Sequence, residues 1–158
     1  MRLQERETSF NALIPIKGVV ASGVWLEERV LSDSAENLRP SPFPADPAFP
    51  VEAQYDFTVG GASINKIAQP GDNLRCVDLQ ASGLDAGDGD LVVLKRRASN
   101  GLIELSVRRM QRLGETTEFW PESTDPMWRS PIVMTHGQSG EGLDTRVLAK
   151  VIWKYMKV

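Results

Sequence analysis

One cysteine and one histidine are all that the chain offers of the two commonest zinc ligands. A single cysteine excludes an internal disulfide framework, and one of each is too few for a typical zinc site. Cys76 lies in the strand-like "NLRCVDL" and reads as a small core residue. His136 lies in the polar, glycine-rich "THGQSGEGLD" and reads as a surface residue of a flexible loop, which removes a Ser-His-Asp arrangement. No Lys-Ser/Thr follows the glycines of "VGGASIN", so a phosphate-binding loop is lacking, and so is a dinucleotide fingerprint. Apolar runs are too short for a membrane span, and "MRLQERETSF" lacks the apolar centre of a signal peptide, so a cytoplasmic protein is expected. Excess positive charge is missing as well: the net charge of −3 argues against a broad nucleic-acid face. The local basic runs, "KRR" at 95–97 and "RRMQR" at 108–112, read as solvated flanks of hairpins.

What is present suits one β domain. A chain of 158 residues, 41% of them hydrophobic, has material for a single core. Residues 1–15 read as an arm or linker remnant, and 16–158 as the domain. Within the domain "RPSPFPADPAFP" at 39–50 carries five prolines, which forbid helix and central strand and make it an extended connector over the surface. After it, "QYDFTVG", "NLRCVDL", "DLVVLKR" and "LIELSVRRM" alternate like strands between turn signals such as "DAGDGD" and "ASNG". In "LIELSVR" the residues Ile103, Leu105 and Val107 share one face, and Glu104, Ser106 and Arg108 the other. The closing "RVLAKVIWKYMKV" is another long strand. No helix exceeds a turn or two. The fold class is all-β, a mostly antiparallel sheet curled into a partial barrel.

The chemical candidate left by these exclusions is Ser63. Without a histidine, a serine nucleophile is usually activated by a neutral lysine in an apolar pocket, which requires lowering the lysine pKa by about 3 units. Lys66 is too close in sequence, Lys95 stands near a strand end where water reaches it, and the inward-capable position on the next strand is Arg108.

Several segments, in order, resemble one family. "GVVASGVWLEE" resembles a cleavage-site segment, with Ser22–Gly23 as the bond; "VGGASIN" a nucleophile turn, with Ser63 as nucleophile and Gly61 and Ala62 as the turn and oxyanion residues. "PGDNLRCVD" and "GDGDLVVLKRR" resemble the two strands after it, "ELSVRRMQRLG" the strand carrying the base lysine, and "EFWPESTDPMWRSPI" the loop that follows. Together they resemble the C-terminal domain of LexA-like and phage-type repressors, the self-cleaving Ser-Lys peptidase family of signal-peptidase-type fold, over roughly residues 16–155.

The resemblance breaks at the chemistry. Arg108 stands where the base lysine belongs, Ala62 replaces an acid, Ile64 a methionine, and Ser22 the usual alanine. Arginine keeps its proton and cannot act as the base. The resemblance therefore implies a degenerate Ser-Lys peptidase, inactive in autocleavage, serving as the regulatory and dimerisation domain of a transcription repressor. It implies a homodimer and no cofactor or metal. Further partners are an intact repressor or a recombinase filament of the SOS response, and DNA is reached only through a separate helix-turn-helix domain, which this chain lacks. Two alternatives stay open: an active self-processing serine peptidase with Lys66, Lys95 or another lysine as base, and a stand-alone accessory domain like those of translesion polymerases. "WLEE" and "WPES" favour the repressor branch. The closing strand, with Trp153 and Tyr155, is expected at an uncovered sheet edge, buried in a two-fold contact.

Overall fold

The computed structural model describes residues 13–28, 38–136, 138–139 and 144–156. Among them lie nine strands: β1 (Ile16–Val20), β2 (Gln54–Val59), β3 (Asn73–Asp78), β4 (Leu91–Arg97), β5 (Ile103–Leu113), β6 (Thr116–Trp120), β7 (Ile132–Thr135), β8 (Gln138–Ser139) and β9 (Asp144–Tyr155). They form one sheet in the order β1-β2-β3-β9-β4-β5-β6-β7-β8, strongly curled into a half-barrel. β1 pairs with β2 in parallel, and the other neighbours are antiparallel. The all-β expectation holds. The α-helix among these residues is one four-residue turn, α1 (Leu79–Ser82), capped by the Asp78 carboxylate and ended by Gly83 in the left-handed region.

Period-2 patterning explains which way the strands face. Ile103, Leu105 and Val107 enter a core cluster with Tyr55, Phe57, Leu74 and Val93. On the other face Met110 joins Val92, Leu94 and Phe119 in a second cluster. The first cluster fills the inside of the curl; Cys76 is fully buried in it, and burial raises its thiol pKa, so it is an inert packing residue.

The curl follows from the length of β5. One of its edges pairs with β4 over Ile103–Arg109, and the other takes β6 only over Arg109–Leu113. The remaining stretch of that second edge is filled by the segment leaving β1. Ala21 N–H donates to the Leu105 carbonyl at 2.9 Å, and Leu26 and Ile103 exchange two bonds of 2.8 Å. The first and fifth strands are thereby brought together, and residues 21–26 are laid along β5.

Expectations are revised at four points. The closing strand β9 lies between β3 and β4 in the sheet order, but β3 takes Ala149–Tyr155 and β4 takes Asp144–Lys150, so only Ala149 and Lys150 are flanked on both sides. Among the described residues the stretch with Trp153 and Tyr155 has a strand partner on one side only. Glu118–Trp120, expected in a loop, end strand β6. The basic runs are not simply solvated, since Arg108 is buried and Arg96 pairs with buried Glu104. Of the expected arm 1–15, residues 1–12 lie outside the described residues, while Ile14 is buried and Pro15 bridges to Pro40, so the packed domain includes both.

Candidate functional site

The segment on β5 carries a tight turn over Ala21–Val24. Val24 N–H donates to the Ala21 carbonyl, and Gly23 has φ +80°, which puts Ser22–Gly23 at the centre of a turn of the type II pattern. Ser22 is buried under it, and its hydroxyl donates to the Ser63 hydroxyl at 3.0 Å across 41 residues of sequence. The Gly23 N–H donates to the Glu104 carboxylate at 2.6 Å. The two residues flanking the expected scissile bond thus touch the nucleophile position and β5 respectively. A Cβ on Gly23 would lie 3.3 Å from the ring of Trp128, so space as well as φ favours glycine here.

Ser63 is held from below by its own loop. Gly60 N–H donates to the Val20 carbonyl, and a Cβ at Gly60 would stand 2.7 Å from Val19, so only glycine allows the loop this close to β1. The loop after β6 then clamps the turn from the other side. Glu122 N–H donates to the Ser63 carbonyl, Lys66 N–H to the Glu122 carbonyl, and the Ser123 hydroxyl to the Ala62 carbonyl at 2.6 Å. Asn65 and Thr124 exchange two further bonds. Gly61 is exposed with φ +70°, and Ile64 is buried in the core, where it packs as a hydrocarbon.

Beside this lies the polar face of β5. Glu104, Ser106 and Arg108 are all nearly sealed from water, at 1%, 1% and 4% exposure. Glu104 accepts from Arg96 Nε at 2.7 Å as well as from Gly23. Arg108 Nη1 donates to the Ser130 carbonyl at 3.2 Å, while its Nε and the Ser106 hydroxyl are buried without a protein partner. Burial lowers the Arg108 pKa to about 10, with Glu104 opposing the shift and Arg96 adding to it. At neutral pH the group remains a cation. Among the described residues Arg108 makes no hydrogen bond to Ser63.

Of the sequence candidates, Ser22, Gly23, Gly61, Ala62 and Ser63 come together, and Arg108 lies on the strand that docks the turn. The alternative bases do not join them: Lys66 is exposed, and Lys95 is held by Glu28 at 2.7 Å, not solvated. His136 is exposed and 3.4 Å from Glu115. Glu104, Trp128 and Ser130 were not among the candidates. The alternation in "ELSVR" places Glu104 on the face of Arg108, whereas no local pattern marks Trp128 or Ser130. No protein-family model matches the chain, and no curated protein matches it at a significant level.

The arrangement is a docked turn whose Ser22 hydroxyl meets Ser63 and whose Gly23 N–H is held by Glu104. Gly23→Ala tests the docking. A left-handed φ costs a non-glycine residue about 1–2 kcal/mol, and the Trp128 contact adds to that. The expected result is loss of hydrogen-exchange protection at the Leu26 and Ile103 amides, with β2 and β3 unaffected. Unchanged protection at both would mean that the turn is not held by its glycine.

Proposed function

We propose that this chain is the C-terminal regulatory and dimerisation domain of a LexA-like or phage-type transcriptional repressor whose self-cleavage is silenced. The observation that carries the reading is the Ser22–Gly23 turn lying against Ser63 while buried Arg108 takes the place of the base. Cleavage would require the Ser63 proton to pass to a base as Oγ attacks the Ser22 carbonyl carbon, with the Gly23 amine as leaving group. A guanidinium pairs readily but does not accept that proton. The domain then serves as a dimerising body that couples two operator half-sites through separate DNA-binding domains. The rival reading, an active peptidase using another lysine, is opposed by the exposure of Lys66 and by the ion pair of Lys95 with Glu28.

Two measurements on the purified chain test this. Sedimentation equilibrium is expected to give a dimer, and a chain that stays monomeric at every concentration removes the dimerisation role. Intact mass after a day at mildly alkaline pH is expected to be unchanged. Breakage at Ser22–Gly23 that Ser63→Ala abolishes would identify a working enzyme instead.

A further inference from the structure

Away from Ser63, where β4 and β9 end beside the segment 21–28, lies a polar cavity of about 280 Å³ lined by Glu28, Lys95, Arg97, Asp144 and Arg146. The register puts Arg146 directly opposite Lys95, and Asp144 opposite Arg97. Like charges directly across a strand pair repel, so such a placement is favourable only with an anion between or above them. One is there. The Glu28 carboxylate reaches in from outside the sheet, and a single oxygen accepts from Lys95 Nζ at 2.7 Å and Arg97 Nη2 at 2.6 Å. Those two cations hold the Glu28 carboxyl below its usual pKa, the Lys95 hydrogen bond contributing most. Arg146 is exposed and makes no hydrogen bond or ion pair among the described residues, so it adds a guanidinium fork to the wall of the cavity.

A second cavity of about 150 Å³ shares Lys95 and adds Lys17, Tyr55, Phe57, Asp78 and Leu148. Lys17 Nζ stands 4.4 Å over the Tyr55 ring. A pocket with three cations and two carboxylates thus shares a wall with a smaller one in which Leu148 lies beside Lys17 and Asp78. A partly exposed pair such as Lys95–Glu28 is weak because water and salt screen it, which makes Glu28 an easily displaced occupant.

We infer that this groove binds an acidic peptide segment of a partner protein, a carboxylate side chain taking the place of Glu28 between Lys95, Arg97 and Arg146, and a neighbouring apolar side chain resting on half-buried Leu148. The inference does not depend on the repressor reading. It is tested by titrating the isotope-labelled full chain with acetyl-Leu-Glu-Glu-Glu amide at about 0.15 M ionic strength, where nonspecific attraction is screened, and following the backbone amide shifts. The shifts are expected to centre on Lys95, Arg97 and Arg146, and the all-glutamine analogue is expected to leave them unmoved. Arg146→Gln, at an exposed position, is expected to weaken binding roughly tenfold through loss of a charge-assisted contact. Glu28→Gln removes the internal competitor and is expected to tighten binding by about threefold or more. Equal shifts with the glutamine peptide, unchanged affinity in Arg146→Gln, or no tightening in Glu28→Gln would each overturn the assignment.

Discussion

Arg108→Lys is expected to break between Ser22 and Gly23, while the natural chain under the same conditions stays whole. The rest of the arrangement is in place. The turn is pinned to β5 through Ala21, Gly23 and Leu26, and the Ser22 and Ser63 hydroxyls are in contact. A lysine at 108 enters a face where Ser106 and Glu104 are sealed from water, and desolvation favours its neutral form, lowering its pKa by about 3 units from the ordinary value near 10.4. A positioned general base contributes about 10²–10⁴ in rate, the difference between a reaction lost in a day and one that is complete. The sign of the pH dependence separates the two chains. The neutral fraction of the lysine grows with pH, so cleavage of the variant accelerates until the lysine pKa is passed and then levels. In the natural chain Arg108 remains protonated until pH approaches about 10, so no such rise occurs at neutral pH. Intact mass at several pH values reads both, with Ser63→Ala in the lysine background as the control expected to stay whole. A folded Arg108→Lys chain that remains intact across that range would move the silencing elsewhere, to Ala62, Ile64 or the fit of the turn.

The parts of this site that the sequence discloses are those governed by local rules. Alternation in "LIELSVR" places Arg108 on the face opposite Leu105, and Ile103, Leu105 and Val107 do share one core cluster, but the burial of both faces over Ile103–Arg108 is not legible in that pattern. Glycine at 23 marks a turn for the same steric reason that the backbone there has positive φ. What local rules do not disclose is which strands meet. β9 reads as an edge because its sequence is last and long, yet β3 takes one half of it and β4 the other, a choice made by the closure of the sheet. Lys95 reads as solvated because it is charged and near a strand end. Its real partner, Glu28, is 67 residues away, and nothing near Lys95 announces it. Trp128 against Gly23 is likewise a contact between loops, fixed only once β5 and β6 hold both.

Asp56→Ala is expected to be among the most destabilising substitutions in the chain, at about 3–5 kcal/mol, because it strands a buried charge. Arg75 and Asp56 are both fully sealed from water, and Arg75 Nε donates to the Asp56 carboxylate. Arg75 lies in the strand segment "NLRCVDL". In the fold the proline-rich segment lies over it and uses it. Arg75 Nη2 donates to the Phe43 carbonyl at 2.9 Å, and Nη1 to the Pro44 carbonyl at 2.8 Å. Prolines cannot donate to a ladder, so the connector offers carbonyls, and a buried guanidinium supplies the donors the sheet cannot. Gln54 extends the attachment, its Nε2 donating to the Asp46 carbonyl at 2.7 Å and its Oε1 accepting from Asp46 N–H. Phe43 stacks on Tyr155 of β9 at 3.9 Å, and Trp153 donates to the Asp46 carboxylate. Removing Asp56 therefore acts twice: Arg75 loses its counter-ion, and the guanidinium that holds the connector is drawn toward water. Asp56→Asn keeps an acceptor for Nε and is expected to cost less, while Arg75→Met with Asp56→Leu removes both charges and is expected to recover part of the loss. Urea unfolding of the four chains gives the stabilities, and hydrogen exchange at Phe43, Asp46 and Phe49 reports the connector. A cost below about 1 kcal/mol for Asp56→Ala, the value of an exposed pair, would mean that water reaches Arg75 and that the connector is held by its aromatic contacts alone.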